Sequence, residues 1–169
     1  MNAPTAARCC ALALVALTAA CSARGSSGSM AGFSRDVGTG SQLDVEQEVE
    51  ETIIKYQFQI NQRIETPPLL WETRWRPRAP FPDEEALGVA EAQVRLFVRA
   101  RPRGSQVGLG QLFVVSLTVE NRVQMMGSQE WDGSVATDSY QEWASEIAED
   151  LRQRLDVGIR VFQPPPCCN

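Results

Sequence analysis

Val45, Val49, Ile53 and Tyr56 recur at helical spacing, with Glu46, Glu48, Glu50 and Glu51 between them, which gathers the apolar set on one face of a helix. Ser41, three residues before Asp44, supplies a start signal of capping-box type with aspartate in place of glutamate. A helix is therefore predicted over 42–55. From Thr52 a period of two competes, with Ile54, Tyr56, Phe58 and Ile60 set against Lys55, Gln57, Gln59 and Asn61. β-Branched and aromatic residues dominate this second stretch, so a strand is predicted over 57–64, with a helix continued to Ile64 as the alternative. Thr66-Pro67-Pro68 breaks either element, and Trp71, Thr73 and Trp75 then alternate with Glu72, Arg74 and Arg76 as a second strand over 69–76.

Pro80, Pro82 and Gly88 surround Asp83-Glu84-Glu85, so 78–91 reads as a loop or a short turn of helix. Alternation resumes over 93–101, where Val94, Leu96, Val98 and Ala100 oppose Arg95, Phe97, Arg99 and Arg101. After a glycine-rich loop it continues over 111–125, where Phe113, Val115, Leu117 and Val119 oppose Ser116, Thr118, Glu120 and Arg122. These two strands predict an antiparallel hairpin with one polar face. The last element is a helix opened by Ser139 and Glu142 and carrying Tyr140, Trp143, Ile147, Leu151 and Leu155 on one stripe, with Gly158 just past its end. The order implies an α+β two-layer sandwich: an antiparallel meander of about four strands with an N-terminal and a C-terminal helix on one face.

The whole chain has 169 residues, enough for one core. It contains no histidine, which closes the triads and zinc sites that rely on imidazole. No cofactor, metal site or catalytic residue is expected. The net charge of −5 makes nucleic acid an improbable partner.

Arg8 precedes an apolar run from Cys9 to Ala20, and the first acidic residue is Asp36, the layout of a secretory signal. The run is too short to span a bilayer. Leu17-Thr18-Ala19-Ala20-Cys21 resembles the lipobox of bacterial lipoproteins, although that family usually has leucine where Thr18 stands. The resemblance implies cleavage before Cys21, a lipid on its sulfur and a place in the cell envelope, in the outer membrane facing the periplasm where there are two membranes. The expected organisation is a signal peptide over 1–20, a flexible lipidated tether over 21–41, a globular domain over 42–163 and a Pro/Cys tail over 164–169. Cys167 and Cys168 follow Pro164-Pro165-Pro166, where a vicinal disulfide, bonds to a partner chain or free thiols on a frayed tail are all open.

The candidate binding residues are arginines. Arg74, Arg76 and Arg78 would project to one side of a regular strand. With Arg95, Arg99 and Arg101 they would form a face suited to phosphate or carboxylate groups. The competing expectation is a solvated sheet face whose arginines pair with Glu65, Glu72 and Glu120. Trp71 and Trp75 are expected in the core, and Asp83, Glu84 and Glu85 in a solvated turn rather than around calcium. Three functions follow: a non-catalytic binding or scaffolding lipoprotein with an envelope protein as partner, a binder of anionic envelope polymer through the arginine face, or a carboxylate-based hydrolase of cell-wall glycan.

Overall fold

The computed structural model describes residues 32–104 and 110–158. In chain order these form β1 (Gly32–Ser41), α1 (Gln42–Lys55), β2 (Ile60–Ile64), β3 (Leu69–Thr73), β4 (Arg76–Arg78), α2 (Pro82–Ala86), β5 (Val89–Pro102), β6 (Leu112–Met125), β7 (Trp131–Asp132) and α3 (Asp138–Gly158). The protein is α+β. Strands β2, β3, β5 and β6 are successive antiparallel neighbours, as in a meander, but the sheet is wider than the expected four strands. Among the described residues it has seven: β1 adds beside β6, while β4 and β7 pair with β5 and β6. The leader, Cys21, Cys167 and Cys168 lie outside the described residues.

The main hydrophobic cluster joins the sheet to the helices. Val45, Val49 and Ile53 of α1 and Ala144, Ile147, Ala148, Leu151 and Leu155 of α3 pack with Val94, Leu96, Val98, Val115, Leu117 and Val119 of the central hairpin. Ser41 caps α1 as its spacing suggests: its hydroxyl accepts from the Asp44 N–H at 3.3 Å and donates to the Asp44 carboxylate at 2.6 Å. At α3 the start differs from expectation. Thr137 rather than Ser139 supplies the cap, accepting from the Tyr140 N–H at 3.4 Å, and the Ser139 N–H is taken by Asp83 of α2 at 3.0 Å.

Residues 32–41 were expected to belong to the tether and are instead the edge strand β1. Their glycines serve close packing rather than flexibility. A Cβ on Gly40 would stand 3.1 Å from the Val45 side chain, tighter than ordinary contact, and Gly38 combines a φ of +140° with a Leu155 side chain at 3.7 Å. The register of β1 against β6 shifts between Asp36 and Gly38, a bulge that Gly38 accommodates. Tyr140 fastens the strand from below: its hydroxyl donates to the Val119 carbonyl at 2.7 Å and accepts from the Phe33 N–H at 3.3 Å, so one side chain of α3 bonds both backbones of the β1–β6 pair.

Candidate anion-binding surface

Between β3 and β4 the strand slips by one residue. Glu72 pairs with Phe97 and Arg76 with Val94, so four steps on this strand oppose three on β5. Because side chains alternate with a period of two, one extra residue exchanges the two faces of everything after it. Trp71 and Thr73 are buried in the core as expected, but Trp75 moves to the open face of the sheet. Arg76 and Arg78, expected on that open face, lie opposite Val94 and Ala92 on the side facing the helices. The predicted single row of Arg74, Arg76, Arg78, Arg95, Arg99 and Arg101 is thus divided between the two faces.

On the open face the displaced Trp75 completes a stack. Arg95 lies 4.6 Å from the Phe97 ring and 4.6 Å from the Trp75 ring, and Arg122 lies 4.2 Å from Trp75 and 4.7 Å from Trp131. Aromatic rings and guanidinium groups alternate from Phe97 to Trp131, across β5, the β3–β4 break, β6 and β7. Each contact contributes about 0.5–1 kcal/mol at an exposed site. Arg95 also bridges Glu72 at 3.0 Å and Glu120 at 2.7 Å, and Arg122 donates twice to Gln93. The cross-strand pairing expected for a solvated face therefore holds for Arg95. Arg99 and Arg101, further along β5, are exposed and form no ion pair among the described residues. Arg99 borders a shallow depression of about 280 Å³ with Leu70, Phe97, Ser116, Thr118 and Glu120.

Arg74 and Arg76 belong to a different place. α1 ends with Gln57 in the left-handed conformation at φ 57°, the Phe58 N–H bonding the Ile53 carbonyl and the Gln57 N–H the Ile54 carbonyl, both at 2.9 Å. This is a Schellman ending with glutamine where glycine is usual. It buries Phe58 and turns Gln57 and Gln59 toward the β3–β4 break, where the Arg74 N–H bonds the Gln59 carbonyl at 2.8 Å. Between the two turns lies a cavity of about 170 Å³ lined by Gln57, Gln59, Arg74, Trp75, Arg76 and Pro77. Arg76 packs 4.6 Å over the Phe58 ring, and its Nε is buried without a hydrogen-bond partner. Burial and the neighbouring Arg78 guanidinium both pull Arg76 below the ordinary arginine range.

Arg78 is neutralised internally. Its guanidinium grips the fully buried Glu84 in fork geometry at 2.6 and 2.5 Å and donates to buried Asn121 at 3.0 Å. Asn121 in turn donates to Glu84 and to the Val135 carbonyl, and the Phe81 N–H donates to Glu84. The acidic run 83–85 is thus no solvated turn throughout. Glu84 is buried, and Asp83 reaches α3. Burial raises the Asp83 carboxyl, but hydrogen bonds from Ser139, Thr137 and the Glu84 N–H outweigh it and hold the group below its ordinary value. Among the described residues no three acidic, histidine or cysteine side chains converge as a metal site would require. Sequence reasoning missed Trp75, Arg122, Trp131, Gln57 and Gln59 as members of these surfaces.

The helical layer has the opposite character. α1 and α3 together hold eleven carboxylates against three cations, so the negative charge of the chain is concentrated opposite the open sheet face. No family model and no curated protein matches this sequence.

Proposed function

We propose that the protein is a lipoprotein of the bacterial cell envelope, lipid-anchored through Cys21, that acts as a non-catalytic binding or scaffolding module. Its partner is an envelope protein with an acidic docking patch. The observation that carries this reading is the open sheet face. The stack from Phe97 to Trp131 fixes a broad flat surface of half-buried aromatic and guanidinium groups. Arg99 and Arg101 stand beside it free of acidic partners among the described residues. Aromatic and arginine side chains are the residue types enriched where protein interfaces are strongest. The acidic helical layer opposes approach of anionic lipid or polymer from its own side.

Photocrosslinking groups placed at Arg99, Arg101 and, on α3, at Glu146, in native membranes at low and physiological salt, test the reading. Adducts with one protein from positions 99 and 101, weakening with salt, are expected. Adducts only from position 146, or from no position, refute it. The second reading, an anionic envelope polymer on the same face, is favoured by the exposed Arg99 and Arg101. It predicts salt-sensitive cosedimentation with purified cell wall or lipopolysaccharide that an Arg99→Ala, Arg101→Ala variant loses. A glycan hydrolase is the weakest reading, because Glu72 and Glu120 are both tied to Arg95 on an open surface.

A further inference from the structure

We infer that the cavity between the end of α1 and the β3–β4 break is a binding site for a phosphate monoester, held by Arg74 and Arg76 with Gln57 and Gln59. Its lining residues include two arginines and two glutamines and no acidic residue. Neither arginine forms an ion pair among the described residues, whereas the adjacent Arg78 is bound by Glu84. Arg76 brings the cation partly out of water on the Phe58 ring and leaves its buried Nε without an acceptor. The partly desolvated cation has no acidic partner to balance it, and an anion in the cavity supplies one.

The donor set selects the anion. A carboxylate offers one negative charge and two oxygens, whereas a phosphate monoester carries about −1.5 to −2 at neutral pH and three strong acceptor oxygens, matching two cations and two amides. The cavity has a volume of about 170 Å³, well above the ~10–15 Å³ that a single water requires. It fits a phosphoryl head and leaves the rest of the ligand along Trp75 and Pro77 at its wall. Gln57 lines the cavity from a left-handed position at φ 57°, where glycine would serve the Schellman turn without steric cost.

The site goes beyond the docking reading and stands on different charged residues, so crosslinks from positions 99 and 101 are unaffected if it fails. The test is titration of the full-length chain in detergent with phenyl phosphate, followed by calorimetry and by the Trp75 indole N–H resonance, with benzoate as the singly charged comparator. Saturable binding that tightens as pH rises through about 6, where the phosphate second proton leaves, is expected, with benzoate binding at least about tenfold more weakly. Arg76→Gln and the rim variant Arg74→Gln should each weaken binding about tenfold or more, as loss of a charge-assisted hydrogen bond does, and Arg99→Gln less than about twofold. Gln57→Gly should weaken binding while keeping or raising the melting temperature, which separates ligand contact from folding. Equal affinity in wild type, Arg74→Gln and Gln57→Gly, or equal affinity for benzoate, overturns the assignment.

Discussion

Replacing Tyr140 with phenylalanine removes a single oxygen from a side chain that is fully buried. The ring, its contacts and the helix stripe remain; what is lost is the pair of bonds to Val119 at 2.7 Å and Phe33 at 3.3 Å. A buried backbone group left unpaired costs about 1–3 kcal/mol. That is the expected loss in urea denaturation near pH 8. The alkaline range then separates this mechanism from a generic packing defect. Burial is the largest influence on the Tyr140 hydroxyl and pushes it up to about 12 from 10.0. Its folded value exceeds its unfolded one, so its contribution to stability is complete below pH 10 and is lost as pH rises toward 12. At 1.36 kcal/mol per unit, two units are worth about 3 kcal/mol. The phenylalanine variant has no such proton to lose. The stability gap between the two proteins should therefore shrink steadily above pH 10, while changes common to both cancel. A gap constant from pH 8 to 11.5, or no gap at pH 8, would refute the claim that this hydroxyl bonds the two strands in a desolvated site.

Arg78→Met should destabilise the domain by about 3–5 kcal/mol, because it leaves Glu84 buried and unpaired; the Arg78→Met, Glu84→Leu double variant should recover part of this loss in the same denaturation assay. Trp75→Ala removes two of the four stack contacts and should cost about 1–2 kcal/mol from those alone, with Arg122 becoming more exposed to dicarbonyl modification. Asp83, depressed by its hydrogen bonds, contributes stability above its ordinary value of 3.8 that is lost as pH falls through its folded value. Asp83→Asn should therefore flatten the acid limb of a melting-temperature profile. Cys21→Ser should abolish acylation, seen by mass spectrometry, and leave the protein soluble or unprocessed.

α1, α3 and the β5–β6 hairpin were legible because their side chains are sorted by burial over many residues. Val45, Val49 and Ile53 face the core while glutamates lie between them, and Val94 to Ala100 alternates without interruption. β1 was not, since its glycines match the composition of a linker and their reason, the close approach of Val45 and Leu155, exists only after the helices have docked. The binding surface was half legible. Arginine and tryptophan clustered at 71–78 did mark a functional candidate, but the one-residue slip after Glu72 leaves no trace in the alternation. The faces assigned to Trp75, Arg76 and Arg78 were therefore inverted. Arg122 and Trp131 joined through β6 and β7, distant in sequence from the cluster they complete.

For a chain held at its N-terminus, β1 is also the point where mechanical load enters the fold. Tension arriving from residue 31 reaches Gly32 first and Phe33 next, at the end of a strand paired with β6 from Gly32 opposite Glu120 to Ser41 opposite Leu112. Pulled outward from the sheet, an edge strand peels one bond at a time, starting at its loaded end. The Phe33–Tyr140–Val119 junction sits at the second rung, so the α3 hydroxyl resists before most of the ladder is engaged. A tug that breaks it acts on the tyrosine at the head of the helix whose Leu155, four turns along, covers Gly38. Strain at the anchor is in this way delivered to the hydrophobic interior rather than dissipated at the rim.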